Sequence, residues 1–201
     1  MSTADGGGRR ADAVQNRRLA LEAATALLAE PGTRLTVEAI AKKAGLGAGT
    51  VVRAFGGKDA LLDAAVSGLL EPLVQRARDL LHQAGAEGAL RTFLAELIAF
   101  QSAHHAVSDE LGGLRLPATS ALRAELERVV QQMIAEARSG GAIRTDIDPA
   151  VAATLIGQTA YAIARTRPPS PELVDAYLAV LMEGLRPHPS AVGQETRTLP
   201  E

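Results

Sequence analysis

The chain has 201 residues, of which 47% are hydrophobic and 22% charged, with a net charge of −2, a composition ordinary for a globular protein. It contains no cysteine, which excludes a disulfide scaffold and any thiolate metal site. No apolar run reaches the roughly 18 residues of a membrane span, and the Gly-rich, charged N-terminus lacks the apolar stretch of a signal peptide, so a cytoplasmic protein with no membrane partner is expected.

Ala and Leu fill most apolar positions, and the only aromatics are Phe55, Phe93, Phe100, Tyr161 and Tyr177. These residues favour helix, and no period-2 run suggests a strand; an all-α fold is expected. Residues 1–11 read as a disordered basic arm. Leu21, Ala24 and Leu28 then give a helical stripe over about 13–29, ended by Pro31-Gly32. Thr36 suits the N-cap of a second helix that buries Val37, Ile40, Ala41 and Ala44, with Gly45 as its left-handed C′ residue. A third short helix runs from Ala48 to Phe55 and is broken by Gly56-Gly57. A long helix begins near Lys58, and Pro72 inside it predicts a kink. A helix over 89–104 follows. Pro117 is read as barring continuation of a short preceding helix, with Thr119 or Ser120 capping the next helix, which runs to Gly140-Gly141. Asp148-Pro149 and Ser170-Pro171 are start signals for two last helices. The predicted division is a compact unit over 12–57, a larger helical domain over 58–186, and a disordered tail over 187–201.

Charge is uneven. Residues 1–58 carry nine Lys and Arg against five Asp and Glu, which leaves an excess of six anions beyond them. A basic head on an acidic body points to a polyanion at the head alone. The head also holds the spacing Ala41, Gly45, Val51, which two short helices crossing at a steep angle require: a small residue at the crossing, a positive-φ turn, and a return to the core.

The run from Leu35 to Leu62 closely resembles the DNA-binding domain of the TetR family of transcriptional regulators. The marks are Thr36-Val37-x-x-Ile40-Ala41-x-x-Ala44-Gly45, then Gly49-Thr50, Phe55, and Lys58-Asp59-x-Leu61-Leu62. The resemblance covers about residues 13–66. It implies an all-α homodimer that binds a double-stranded DNA operator, most often a repressor released by a small-molecule effector. The DNA-facing residues expected are Thr36, Lys43, Gly47, Ala48, Gly49, Thr50, Val52, Arg53 and Lys58. Thr50 and Lys58 suit phosphates. Arg53, the one long donor on the third helix, suits a guanine edge or a phosphate. Arg9 and Arg10 form a candidate minor-groove arm. The family's usual aromatic is replaced by Val52 and its usual polar residue by Ala54; neither side chain forms a hydrogen bond, though Val52 suits a thymine methyl.

No catalytic set or cofactor is expected. His104-His105 with Asp109 and Glu110 is the one cluster with metal-ligand chemistry, but adjacent histidines on a helix point about 100° apart and do not converge. A helical interaction module with little DNA affinity is the alternative outside enzymes. Phe93, Leu97, Phe100, Gln101, His104, Met133 and Tyr161 are the candidate effector-pocket residues, mostly apolar with a few polar groups. The dimer seam is expected at Ala153, Gly157, Ala160, Val174, Tyr177, Leu178 and Leu181, where small residues allow close helix approach and larger ones supply apolar area.

Overall fold

The structure, a computed structural model, describes residues 5–28, 30, 35–83, 86–104, 114, 116–166 and 169–187. Among them are eight helices and no strand: α1 (Asp5–Leu28), α2 (Val37–Ala44), α3 (Ala48–Phe55), α4 (Lys58–Gln83), α5 (Ala86–Ala103), α6 (Pro117–Ser139), α7 (Pro149–Ala164) and α8 (Pro171–Leu185).

Local chemistry sets most boundaries. The Thr36 hydroxyl accepts from the Ala39 N–H at 3.1 Å and opens α2. Gly45 closes it at φ +67°. The N–H groups of Gly45 and Leu46 reach back to the carbonyls of Lys42 and Ala41, at 3.3 and 2.9 Å, the Schellman pattern that a left-handed glycine permits. Gly56, at φ +79°, ends α3 with the simpler left-handed cap, its N–H donating to the Val52 carbonyl at 2.7 Å. The Asp148 carboxylate accepts from Ala150 and Val151 to open α7, and the Ser170 hydroxyl accepts from Leu173 to open α8.

Two boundaries differ from expectation. Helix α1 begins at Asp5, well before residue 13. Once a helix is nucleated, each added turn costs little, so the Gly6–Gly8 run is carried. Pro117 opens α6 as its first residue, ahead of the expected cap at Thr119 or Ser120, because a proline at that position lacks only an N–H that would have no helical partner. Thr119 and Ser120 therefore lie inside the helix. Helix α4 passes through Pro72 without ending.

Two main hydrophobic clusters share α4. The first gathers Ala20, Ala24, Leu27, Ile40, Val51 and Phe55 around Leu61, Leu62, Ala65, Val66 and Leu70 of α4, and includes Leu116 just before α6. The second gathers Phe93, Leu94, Met133, Ile134, Ile156 and Leu178 around Leu73, Ala77, Leu80 and Leu81. Pro72 thus stands where α4 passes from one core to the other. Each large side chain so buried contributes about 1.5–3 kcal/mol of transfer free energy, so α4 is held firmly along both halves. Phe100 packs against both clusters.

Candidate nucleic-acid interface and effector domain

Helix α3 buries Val51 and Phe55 and turns Gly49, Val52 and Arg53 outward. Val52 is 40% exposed. The Arg53 guanidinium lies back along its own helix: one nitrogen is 3.4 Å from the Thr50 hydroxyl. A Cβ on Gly49 would sit 3.3 Å from another, so the glycine leaves room for the folded arginine. Lys58 is exposed at the first turn of α4. Gly47 and Ala48 open α3 without a side-chain cap, leaving its first N–H groups directed outward. Thr36 is committed to capping α2, and Lys43 pairs with Glu30 at 2.6 Å on the surface. Of the expected residues, Gly47, Gly49, Val52, Arg53 and Lys58 are exposed and Thr50 is half-buried, Ala48 packs partly on the first cluster, and Thr36 and Lys43 already have partners within the chain.

Arg17 of α1 had no expected role beyond its charge. Its guanidinium donates to the Ala54 carbonyl at 2.6 Å and lies 4.1 Å from the centre of the Phe55 ring. A cation at the last turn of α3 complements the helix dipole and occupies an otherwise free carbonyl, tying the end of α3 to α1. The contact spans 37 positions, so no local pattern announces it.

Asp63, on the same helix that begins with Lys58, was also missed. It is only 7% exposed, and its carboxylate sits at the N-terminus of α6. One oxygen accepts from the Ala118 N–H at 2.9 Å. The other accepts from the Thr119 N–H and the Thr119 hydroxyl, both at 2.8 Å. The cap of α6 thus comes from α4, across 55 residues, in place of a cap by Thr119 or Ser120. Burial alone would raise the Asp63 pKa, but the hydrogen bonds from Thr119 and Ala118 outweigh it and hold the carboxyl below its usual range. Farther along, Arg78 of α4 meets Glu125 of α6 at 2.8 Å, a partly exposed pair that adds little. The buried carboxylate is the stronger tie between the two helices.

The candidate pocket residues separate into three groups. Phe93 and Met133 are fully buried, and Leu97 nearly so, in the second core. Phe100 and Gln101 on the last turn of α5, and His104 just past its end, are half-buried, with the Phe100 and His104 rings 4.7 Å apart. Burial lowers the His104 pKa, which favours a neutral imidazole at pH 7. Tyr161 departs from expectation: its hydroxyl accepts from Arg165 at 3.0 Å in an exposed contact. The inner face of α7 is taken by Ile156, Ala160 and Ala164, and Tyr161 is turned about 100° from Ala160. His105, Asp109 and Glu110 lie outside the described residues.

The expected dimer seam is also revised. Ala160 is fully buried and Leu178 is 2% exposed, both within the protomer, so neither is free to meet a second copy. Val174 and Tyr177 pack on the protomer's own clusters, and the Tyr177 hydroxyl lies 2.8 Å from that of Thr159. Ala153 and Leu181 pack partly on the second core, and Gly157 has open space beside it. The apolar residues left outward are Val151 and Leu155 on α7, one turn apart, and Val180 on α8, exposed by 51%, 56% and 75%.

Two short helices around a left-handed glycine, the second turned outward on a larger helical body, define a helix-turn-helix DNA-binding regulator. Comparison with known proteins agrees and narrows the class. Residues 20–65 match the family model of bacterial regulatory proteins of the tetR family. Residues 85–187 match that of the transcriptional regulator SbtR-like C-terminal domain. The chain is 29% identical over 184 residues to the HTH-type transcriptional repressor KstR2 of Rhodococcus jostii (strain RHA1), covering 84% of this chain and 90% of the relative. A TetR transcription regulatory protein from Mycobacterium vanbaalenii is 31% identical, with a TM-score of 0.61 over 88% of this chain and 98% of that one. The ketosteroid transcriptional regulator KstR2 of Mycobacterium tuberculosis is 26% identical, with a TM-score of 0.65 over 85% and 94%. The chain belongs to the TetR family of transcriptional regulators.

Proposed function

We propose that this regulator is a homodimeric repressor that reads a near-palindromic operator through α3 of each protomer and is released by a small, largely apolar effector. The observation that carries the reading is the outward face of α3, where Thr50, Val52 and Arg53 project from a helix anchored on one side by Val51 and Phe55 and at its end by Arg17. In this reading Arg53 unfolds from Gly49 to reach a guanine edge or a phosphate, Val52 meets a thymine methyl, and Lys58 meets the backbone. Val151, Leu155 and Val180 form the surface that joins two copies, and two-fold symmetry makes the operator's half-sites equivalent.

The effector acts from the second core. It releases DNA only to the extent that it prefers the non-binding arrangement of the heads, and α4, tied to α6 through Asp63, is the element that carries the change. The apolar side chains of the second core support an apolar effector; the Mycobacterium tuberculosis relative is named a ketosteroid transcriptional regulator, and a ketosteroid is largely apolar. The test is fluorescence anisotropy on duplexes from the upstream region of the protein's own gene. Salt-dependent binding to one near-palindrome, at two protomers per site, is expected. Binding no tighter than to random duplex would remove the repressor reading and leave a helical interaction module.

A further inference from the structure

The C-terminal end of α5 and the residue just past it carry two polar atoms without partners among the described residues. Gln101 Oε1 and His104 Nδ1 are both buried, and neither has a hydrogen-bond partner among the described residues. Buried polar groups in native proteins are almost always paired, so each unpaired one requires an explanation. Two of them, three residues apart on one helix face, point to a common cause. The Phe100 ring stands beside them, 4.7 Å from the His104 ring, and packs on both hydrophobic clusters. This turn therefore lies at the seam between head and body, where an occupant would bear on both.

We infer that Gln101 and His104 form the polar end of the effector site and receive a hydroxyl group carried on an apolar molecule. The inference rests on the effector-release reading above. A hydroxyl both donates and accepts, so it can donate to the Gln101 oxygen while accepting from the imidazole in the tautomer that carries its proton on Nδ1. A ketone or a carboxylate only accepts, and leaves the Gln101 oxygen unpaired. A neutral His104 also offers a carboxylate no cation. The energetic logic resembles that of other sites built to bind a hydroxyl, which reject analogues that lack it because their own polar groups then stay unsatisfied.

The experiment uses the full chain, the variants Gln101→Leu and His104→Phe, and three probes of one skeleton: octan-1-ol, octan-2-one and octanoate. Without any probe both variants should melt at or above the parent temperature, since an unpaired buried atom is replaced by apolar surface of similar size. Octan-1-ol should bind the parent at least tenfold more tightly than octan-2-one or octanoate, and Gln101→Leu should erase that difference. Lower melting of both variants overturns the inference. So does equal binding of alcohol and ketone by the parent, or no binding of the alcohol. The parent comparison decides alone if a variant fails to fold. Alcohol selectivity that depends on Gln101 but leaves operator affinity unchanged keeps the hydroxyl site and refutes effector release. Operator release by a ligand indifferent to Gln101→Leu does the reverse.

Discussion

Replacing Asp63 with asparagine should destabilise the protein by about 2–3 kcal/mol, and the cost should depend on pH. The carboxylate accepts three hydrogen bonds from Ala118 and Thr119. An asparagine keeps one acceptor oxygen. If that oxygen faces Thr119, the new NH2 group confronts the Ala118 N–H and leaves this donor unpaired in a buried setting. Losing a hydrogen bond to a charged acceptor costs roughly 1.5–3 kcal/mol, as does stranding its donor. The graded comparison is informative. Thr119→Val removes only the hydroxyl contact and should cost about 1–2 kcal/mol, whereas Asp63→Ala strands both N–H groups and should cost about 4 kcal/mol. For a protein of this size, 2–3 kcal/mol corresponds to a fall of about 5–10 °C in Tm, small enough for the variant to stay folded. Urea unfolding at several pH values measures it. The folded Asp63 carboxyl titrates below its ordinary value, so its stabilisation is complete above the unfolded pKa of about 3.9 and is lost as pH falls through the lower folded value. The gap between parent and variant should therefore be full at pH 7 and narrow below about pH 4. The same variant should show a weaker effect of effector on operator affinity, because the tie between α6 and α4 is loosened. A variant within 0.5 kcal/mol of the parent at pH 7, or a gap that stays constant on acidification, would refute the capping argument.

Arg53→Ala should lower operator affinity by about 1–3 kcal/mol and relax preference at one position per half-site; unchanged binding in a duplex library would end its reading role. Lys58→Ala should weaken all sequences alike and flatten the dependence on salt, checked by titrations at four ionic strengths. Val180→Glu should fold normally and sediment as a monomer at micromolar concentration. Leu178→Glu should instead unfold, since it forces an unpaired charge into the protomer's own core; a folded monomeric Leu178→Glu would restore the seam first expected. Arg17→Met should cost about 1 kcal/mol in stability, from a lost charged hydrogen bond and an exposed cation–π contact, and should reduce specific DNA binding more than nonspecific binding, because α3 loses its anchor.

What could be read in the sequence was what is encoded within a few residues. Thr36, Gly45, Gly56, Asp148-Pro149 and Ser170-Pro171 each satisfy or release backbone groups nearby, so their helices were legible. The Arg17–Ala54 and Asp63–Thr119 contacts join residues 37 and 56 apart and leave no trace at short range. Pro117 was ambiguous for a different reason: the same residue stops a helix when inside it and starts one when first. On α7 and α8, helical periodicity shows which residues share a face. It does not say which apolar face turns inward when both are apolar, as with Leu178 inside and Val180 outside. Ala160 and Gly157 illustrate the same limit, since small residues serve close packing within a protomer as readily as between two.

Leu116 belongs to the head's hydrophobic cluster although it lies 61 residues past Phe55, where α3 ends, and Leu114, Leu122 and Phe100 pack on the same cluster. The DNA-reading unit is therefore not a detachable module. A fragment cut at Gly56-Gly57, or within α4, would uncover Ile40, Val51 and Phe55 on one side and Leu116 on the other. Head and body should melt together in a single transition. A chimera that grafts this head onto a relative's body would keep its fold only if the graft carried the segment around Leu116 as well as the continuous N-terminal stretch. Recombination within such a family is thus constrained by a residue far from the junction where a splice would be drawn.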